Sequence, residues 1–154
     1  MDRIASPTLP VARRMEAADV ARVASIEKDS FTSPWKADTF YTLLPRPGAE
    51  LWVLDDPQAG VVAYAVLWCI LDQAELANIA VMAGHRGRGH GRRLLTLVLD
   101  VARERGVKSV YLEVRASNER AAGLYRGFGF THMGIRRDYY DSPVEDAILM
   151  VAKL

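Results

Sequence analysis

The chain has 154 residues, half of them hydrophobic and a quarter charged, which is the profile of one globular domain. Twenty basic and nineteen acidic residues leave a net charge of +1, and this argues against a general attraction to nucleic acid or to an anionic membrane. The single cysteine, Cys69, excludes a disulfide framework within the chain and a multi-cysteine metal site, and it favours a cytoplasmic protein.

The N-terminus predicts a short tail followed by one domain. Residues 1–10 contain two prolines and no long apolar core, so we expect a flexible tail and not a signal peptide. Residues 11–154 then form the domain. Val11–Met15 predicts a first strand, and Asp19–Glu27 predicts an amphipathic helix because its apolar residues recur at helical spacing.

A second helix is predicted next. Ser33 is a good N-cap and Pro34 suits the first helical position, so we expect the helix to begin there and to end before the prolines that start at Pro45. Trp35 has two interpretations at this stage. It is either a staple that packs against the core or a wall of a binding pocket.

A three-stranded meander follows. Ala49–Leu54 and Val61–Ile70 predict an antiparallel pair joined by turn-forming residues, and Glu75–Val81 predicts the third strand. The longest apolar run, Val61–Leu71, is too short to cross a bilayer as a helix. We therefore interpret it as a buried strand.

The glycine-rich stretch Arg86–Leu95 is the most informative segment of the chain. Gly87, Gly89 and Gly91 tolerate positive φ angles, so that successive N–H groups can face one concavity. A helix begins directly afterwards and adds the positive end of its dipole. This combination predicts a diphosphate site. It is neither a P-loop nor a dinucleotide fingerprint, and a surface turn rich in glycine and arginine is the alternative.

The C-terminal half predicts alternating helices and strands. A helix from about Gly91 to Arg105 precedes the strand Lys108–Arg115, whose residues alternate between apolar and polar. Ser117 or Asn118 caps a last helix, and closing strands begin at Phe130 and Val144. Alternation of this kind after a meander predicts an α/β fold on a mixed sheet.

The ordered motifs resemble the GNAT superfamily of N-acetyltransferases. The pattern Arg-x-x-Gly-x-Gly, at Arg86, Gly89 and Gly91, is similar to the acetyl-CoA pyrophosphate loop of that superfamily. Within it, the chain resembles the RimI-type enzymes, which acetylate the N-terminal alanine of a bacterial ribosomal small-subunit protein. The similar segments are Ser33–Trp35, Glu75–Val81, Arg86–Gly91, Tyr111–Asn118, Leu124–Phe130, Arg136–Tyr140 and Glu145–Ile148.

The resemblance implies a single GNAT domain with a mixed, mostly antiparallel central sheet flanked by helices. It also implies acetyl-CoA as the cosubstrate, no metal, and a protein N-terminus as the acceptor, with no direct nucleic-acid role and no membrane. The residues implied to bind the cofactor are Ile79, Ala80, Val81, Arg86, Gly87, Arg88, Gly89, His90, Gly91, Arg92 and Asn118. Those implied to border the peptide are Trp35, Tyr139 and Tyr140.

The same resemblance assigns Glu113 as the general base and Tyr125 as the general acid. An amine attacks a thioester only as the free base, and a peptide α-amine with a pKa near ~8 needs only a mild base. Glu113 lies between Leu112 and Val114, an apolar setting that suits a base. The alternative for Glu113 is a structural carboxylate paired with an arginine. The alternative for Tyr125 is a core tyrosine whose hydroxyl bonds to a carbonyl.

Two other functions stay open at this stage. A related acetyltransferase for other protein N-termini, lysine side chains or small amines would have the same cofactor half. An RNA-binding module using the arginines near the glycine loop is the alternative from another class, although the near-neutral charge counts against it. The sequence contains no metal-ligand spacing and no Ser/His/Asp arrangement, so we expect direct transfer without an acyl-enzyme.

Overall fold

A computed structural model describes residues 9–154, so most of the predicted tail lies outside the described residues. The strands within that range are β1 (Val11–Arg14), β2 (Ala49–Asp56), β3 (Gly60–Ile70), β4 (Gln73–Val81), β5 (Ser109–Arg115), β6 (Thr131–Tyr140) and β7 (Glu145–Lys153). The α-helices are α1 (Val20–Ser30), α2 (Ala37–Leu43), α3 (His90–Glu104) and α4 (Glu119–Gly127). None of these helices is long and apolar enough to cross a bilayer.

The strands form one sheet in the order β1-β2-β3-β4-β5-β7-β6. Neighbouring strands are antiparallel except for β4 and β5, which are parallel and are connected by the crossover helix α3. Parallel pairing extends only over Gln73–Glu75 and Ser109–Tyr111. Beyond these residues β4 and β5 no longer pair with each other, so a gap opens between them in the middle of the sheet.

Helices cover both faces of the sheet. On one face, α3 and α4 bury residues such as Leu94 and Val98 against the inward side of β5, which includes Leu112. On the other face, α1 and α2 bury Val23 and Phe40 against β2, β3 and β4. The prediction of an α/β fold on a mixed, mostly antiparallel sheet is confirmed.

The predicted start of the second helix is wrong. The helix α2 begins at Ala37 and not at Pro34, because a contact with α1 holds the preceding residues out of the helix. The backbone N–H of Trp35 donates to the carboxylate of Glu27 over 3.1 Å. Residues 31–36 are therefore a non-helical segment, which we call the α1–α2 loop.

Candidate active site

A cleft of about 720 Å³ lies where β4 and β5 part. The glycine loop forms one wall of it, and Gly87 and Gly89 both adopt positive φ angles, of 77° and 84°. Gly89 is the N-cap of α3, so the unpaired N–H groups of the first helical turn face the same region. This arrangement is a concave, positively polarised site, which is the geometry that a diphosphate needs.

The free edge of β4 supplies further hydrogen-bond donors to the cleft. The N–H of Met82 donates to the carbonyl of Val62 on β3 over 2.7 Å. Because backbone groups alternate in direction along a strand, the N–H groups of Ile79 and Val81 face the opposite way, into the gap. An extended chain that carries amide groups can therefore lie along β4 in place of a strand. A chain that contains amide groups and ends in a thioester fits this edge.

Most of the residues predicted to bind the cofactor line this cleft. Arg88 is exposed and does not line the cleft. Arg86 lines the cleft, and its guanidinium also donates to the Val81 carbonyl (3.0 Å) and to the Ser30 hydroxyl (3.3 Å). The predicted residues along the cleft are Ile79, Ala80, Val81, Arg86, Gly87, Gly89, His90, Gly91, Arg92 and Asn118.

Two further details refine the cofactor side. The side chain of Asn118 accepts a hydrogen bond from the Ala121 N–H over 3.2 Å, so it caps α4 while it lines the cleft. Burial, followed by His85 and nearby arginines, lowers the pKa of His90. The His90 imidazole is therefore neutral at pH 7 and adds no charge to the cleft.

Arg120 was missed by the sequence analysis. Its side chain lines the cleft, and a Cβ placed on Gly87 would lie 3.7 Å from one of its Nη atoms. It follows Glu119 at the start of α4, outside the glycine-rich motif. Its proximity to the loop depends on how α4 packs, which local sequence does not reveal.

Tyr125 closes the inner end of the same cleft. It is 8% exposed, and its ring packs edge-on against Phe130 with centroids 5.8 Å apart. Burial, with a smaller contribution from Tyr140, raises the pKa of Tyr125 to about 12. The Tyr125 side chain lines the cleft, so its hydroxyl can meet a molecule bound there.

Glu113 faces the opposite side of the sheet. Its neighbours Leu112 and Val114 point into the core, whereas the carboxylate of Glu113 lies 3.5 Å from the guanidinium of Arg136. It borders a separate groove of about 370 Å³ that also contains Glu75. Glu113 is thus paired with an arginine, as the structural interpretation of this carboxylate predicts. The two predicted catalytic side chains line different depressions, on either side of the gap.

The predicted peptide-binding tyrosines lie at the end of β6 and line neither the cleft nor the groove. The rings of Tyr139 and Tyr140 are perpendicular, with centroids 5.0 Å apart. A hydrogen bond to Glu113, together with burial, raises the pKa of Tyr139. Burial and then the charge of Glu113 raise the pKa of Tyr140 to about 12. Since Tyr140 also influences Tyr125, it links the surroundings of the two predicted catalytic groups.

Trp35 packs against the core of the α1 and α2 face. Its ring centroid lies 5.6 Å from that of Phe40, and it is partly buried. It lines neither the cleft nor the groove. This packing is that of a staple, and a contact between Trp35 and a peptide stays a prediction.

Glu27 is a buried carboxylate that the sequence analysis missed. It is 1% exposed and accepts hydrogen bonds from the hydroxyl of Tyr64, the side-chain amide of Asn78 (2.5 Å) and the N–H of Trp35 (3.1 Å). Burial raises the pKa of Glu27, and these three donors oppose the rise. It joins α1, β3, β4 and the α1–α2 loop. The available signal was an acidic residue at i+7 on the buried stripe that Val20 begins.

Comparisons with known proteins agree with this geometry. The acetyltransferase (GNAT) family model matches residues 20–130. A Bacillus subtilis (strain 168) protein described as a putative ribosomal protein bS18-alanine N-acetyltransferase is 38% identical over 144 residues, which are 93% of this chain and 95% of that protein. The Escherichia coli (strain K12) ribosomal protein bS18-alanine N-acetyltransferase is 37% identical over 139 residues, with 88% and 92% coverage.

A solved structure extends the similarity to three dimensions. The crystal structure of the ribosomal-protein-S18-alanine N-acetyltransferase from Escherichia coli superposes with a TM-score of 0.87 and 34% identity, covering 94% of each chain. The family model spans most of the chain, and the relatives match nearly full length. The chain therefore belongs to the acetyltransferase (GNAT) family, which uses acetyl-CoA, and it is closely related to the RimI ribosomal protein bS18-alanine N-acetyltransferases.

Proposed function

We propose that this protein transfers the acetyl group of acetyl-CoA to the N-terminal alanine of ribosomal protein bS18 in the cytoplasm. The observation that carries the proposal is the continuity of one cleft. The glycine loop, the free edge of β4 and the Tyr125 side chain all border it. The relatives that match nearly full length are described as bS18-alanine N-acetyltransferases, which supports the choice of acceptor.

On the cofactor side, we assign the glycine loop and the N-terminus of α3 to the pyrophosphate of CoA. The N–H groups of Ile79 and Val81 suit the amides of the pantetheine arm, in the manner of an added strand. The Val81 N–H also suits the thioester oxygen, on which negative charge develops during attack. Asn118 has an amide nitrogen that is not used in its capping bond and can reach the arm.

On the acceptor side, we assign Glu113 as the base, acting through a water molecule. It removes a proton from the ammonium group, and the free amine then attacks the thioester carbonyl. A C–N bond forms and the C–S bond breaks, which leaves CoA as a thiolate. The carboxylate can do this for an α-amine because the pKa of that amine is only near ~8. Arg136, 3.5 Å away, holds the orientation of the carboxylate.

We assign Tyr125 to the departing thiolate. With a pKa of about 12, its hydroxyl stays protonated at neutral pH. Full proton transfer to a thiolate with a pKa near ~8.5 is uphill by roughly 5 kcal/mol. The contribution of Tyr125 is therefore a hydrogen bond that stabilises the thiolate as it forms, and the final proton comes from water or from the amine.

A peptide panel tests the proposed function. Peptides with the bS18 N-terminal sequence, varied only at the first residue, are offered with acetyl-CoA, and the products are located by mass spectrometry. We expect acetylation at the α-amine, fastest for alanine, and none when the N-terminus is blocked. Acetylation of an internal lysine in the blocked peptide would instead favour a lysine acetyltransferase.

A further inference from the structure

Arg115, the last residue of β5, connects two segments that come from distant parts of the chain. One is the α1–α2 loop, in which the Thr32 hydroxyl accepts from Arg115 Nη2 over 2.5 Å. The other is the β6–β7 turn, which comprises residues 141–144. Its carbonyls accept from the same guanidinium, Asp141 over 3.1 Å and Pro143 over 3.2 Å.

Three other features fix the orientation of this guanidinium. It donates to a Glu145 carboxylate oxygen over 3.3 Å, and it lies 4.3 Å above the centroid of the Tyr140 ring. Glu145 is itself held by the backbone N–H of Ser117. The Arg115 side chain is only 21% exposed. Its planar fork of donors therefore meets acceptors in several directions at once, which a lysine cannot reproduce.

The position of this contact is as informative as its chemistry. Arg115 lies two residues after Glu113 on the same face of β5, beside the gap between β4 and β5. The Tyr140 ring beneath it influences the pKa of Tyr125, and the charge of Glu113 influences the pKa of Tyr140. Phe31 of the α1–α2 loop lines the cleft that contains Tyr125, and the β6–β7 turn directly follows Tyr140. The two segments that Arg115 joins therefore lie beside the region of Glu113 and Tyr125.

We propose that Arg115 is a positioning residue that sets the width of the acceptor entrance by tying the α1–α2 loop to the β6–β7 turn. This inference rests on the proposed function, because it treats the region between these segments as the path of the acceptor N-terminus. The residue touches neither reacting group. It acts through the two segments, so its loss widens the entrance and weakens acceptor binding while the cofactor cleft stays intact.

Arg13 provides a matched control. It is likewise a partly buried arginine, 31% exposed, and it bonds to the carboxylates of Asp19 and Asp55. It lies on β1, at the opposite edge of the sheet from β6. Arg13→Met therefore removes a comparable set of charged hydrogen bonds far from the acceptor entrance.

The experiment compares Arg115→Met, Arg115→Lys, Thr32→Val and Arg13→Met. Hydrogen–deuterium exchange of the free protein is measured first. We expect faster exchange in residues 31–36 of the Arg115 and Thr32 variants, faster exchange in residues 141–146 of the Arg115 variants, and no change in either segment of Arg13→Met. With the alanine-terminated peptide, we expect KM to rise about 10-fold in both Arg115 variants, kcat to fall less than threefold, and the acetyl-CoA Kd to stay within twofold. Arg13→Met leaves KM unchanged.

A double-mutant cycle adds a test that no loss of stability mimics. Thr32→Val is expected to raise KM severalfold in the wild-type background and to have no further effect in the Arg115→Met background, because the shared contact is already absent. Additive effects, or a KM change no larger than that of Arg13→Met, would overturn the proposal. If Arg115→Met does not fold, Arg115→Lys takes its place in this cycle. If the proposed function is wrong, the result differs. The wild-type protein then leaves the peptide unmodified, while the Arg115 variants still show faster hydrogen exchange.

Discussion

The two side chains assigned to the chemistry, Glu113 and Tyr125, face opposite sides of the sheet and line different depressions. Tyr125 and Tyr140 both have pKa values of about 12, so both are neutral phenols at working pH. This separation suits a reaction in which one proton leaves the amine on one side while a thiolate departs on the other.

Glu113→Gln distinguishes a base from the partner in an ion pair. We expect turnover to fall on the order of 10²-fold, the size of a general-base contribution, with little change in the acetyl-CoA Kd. The defect should shrink as the pH rises above ~8, because the α-amine is then already deprotonated. Arg136→Gln breaks the same ion pair and serves as the control. An equal, pH-independent loss in both variants would assign Glu113 a structural role.

Tyr125→Phe removes only the hydroxyl and keeps the ring packed against Phe130. We expect a rate loss on the order of 10²-fold with an almost unchanged Tm, because the packing of the ring is kept. An acetyl donor with a more acidic thiol should restore part of the rate, since such a thiolate leaves without help. A lower Tm with an unchanged rate would identify a structural tyrosine.

Since the pKa of Tyr125 is about 12, the wild-type rate should show no loss from Tyr125 ionisation below pH 10.

At the scale of single elements, the N-terminus of α3 carries the cofactor assignment. Gly89, with φ of 84°, begins this helix, and Gly106, with φ of 80°, follows its end. A Cβ at either position meets nothing within 4 Å. Alanine in this left-handed conformation costs roughly 1–2 kcal/mol at either site, so the two substitutions are matched in strain.

We expect Gly89→Ala to raise the acetyl-CoA Kd about 10-fold or more, because strain in the loop turns N–H groups away from the pyrophosphate. Gly106→Ala should lower the Tm by a similar few degrees and leave the Kd unchanged. Isothermal titration calorimetry and thermal unfolding measure both quantities. Equal Kd values in the two variants would remove the glycine loop from the cofactor site.

Elements built from local periodicity were predicted well from the sequence, whereas contacts between distant elements were not. The alternation along β5 and a helix cap at Ser117 or Asn118 are local patterns. The structure confirms the alternation and places the cap at Asn118. Glu27 was missed because its partners Tyr64 and Asn78 lie 37 and 51 residues away in the chain. The start of α2 was wrong for a related reason, since a residue of α1 holds the Trp35 N–H. The Arg115 contacts likewise depend on pairing that no short window contains.

At the scale of the whole molecule, the sheet consists of two parts joined over a short distance. The strands β1 to β4 form one part and β5 to β7 the other, and three residue pairs join them between β4 and β5. A cofactor that lies in the gap makes contacts with both parts. Cofactor binding should therefore raise the free energy of unfolding of the whole molecule. Its local effect on hydrogen exchange should be largest where β4 and β5 diverge.

We expect acetyl-CoA at about 100 times its Kd to stabilise the protein by ~2.7 kcal/mol, since it binds only the folded state. For a domain of this size, that corresponds to a rise in Tm of roughly 5–11 °C. Hydrogen exchange should slow in residues 77–81 and 113–118, which border the gap, and much less in β1. S-acetylpantetheine, which lacks the pyrophosphate, should bind more weakly and, at the same concentration, give a smaller rise. A full rise in Tm without protection of the gap would mean that the cofactor binds elsewhere on the molecule.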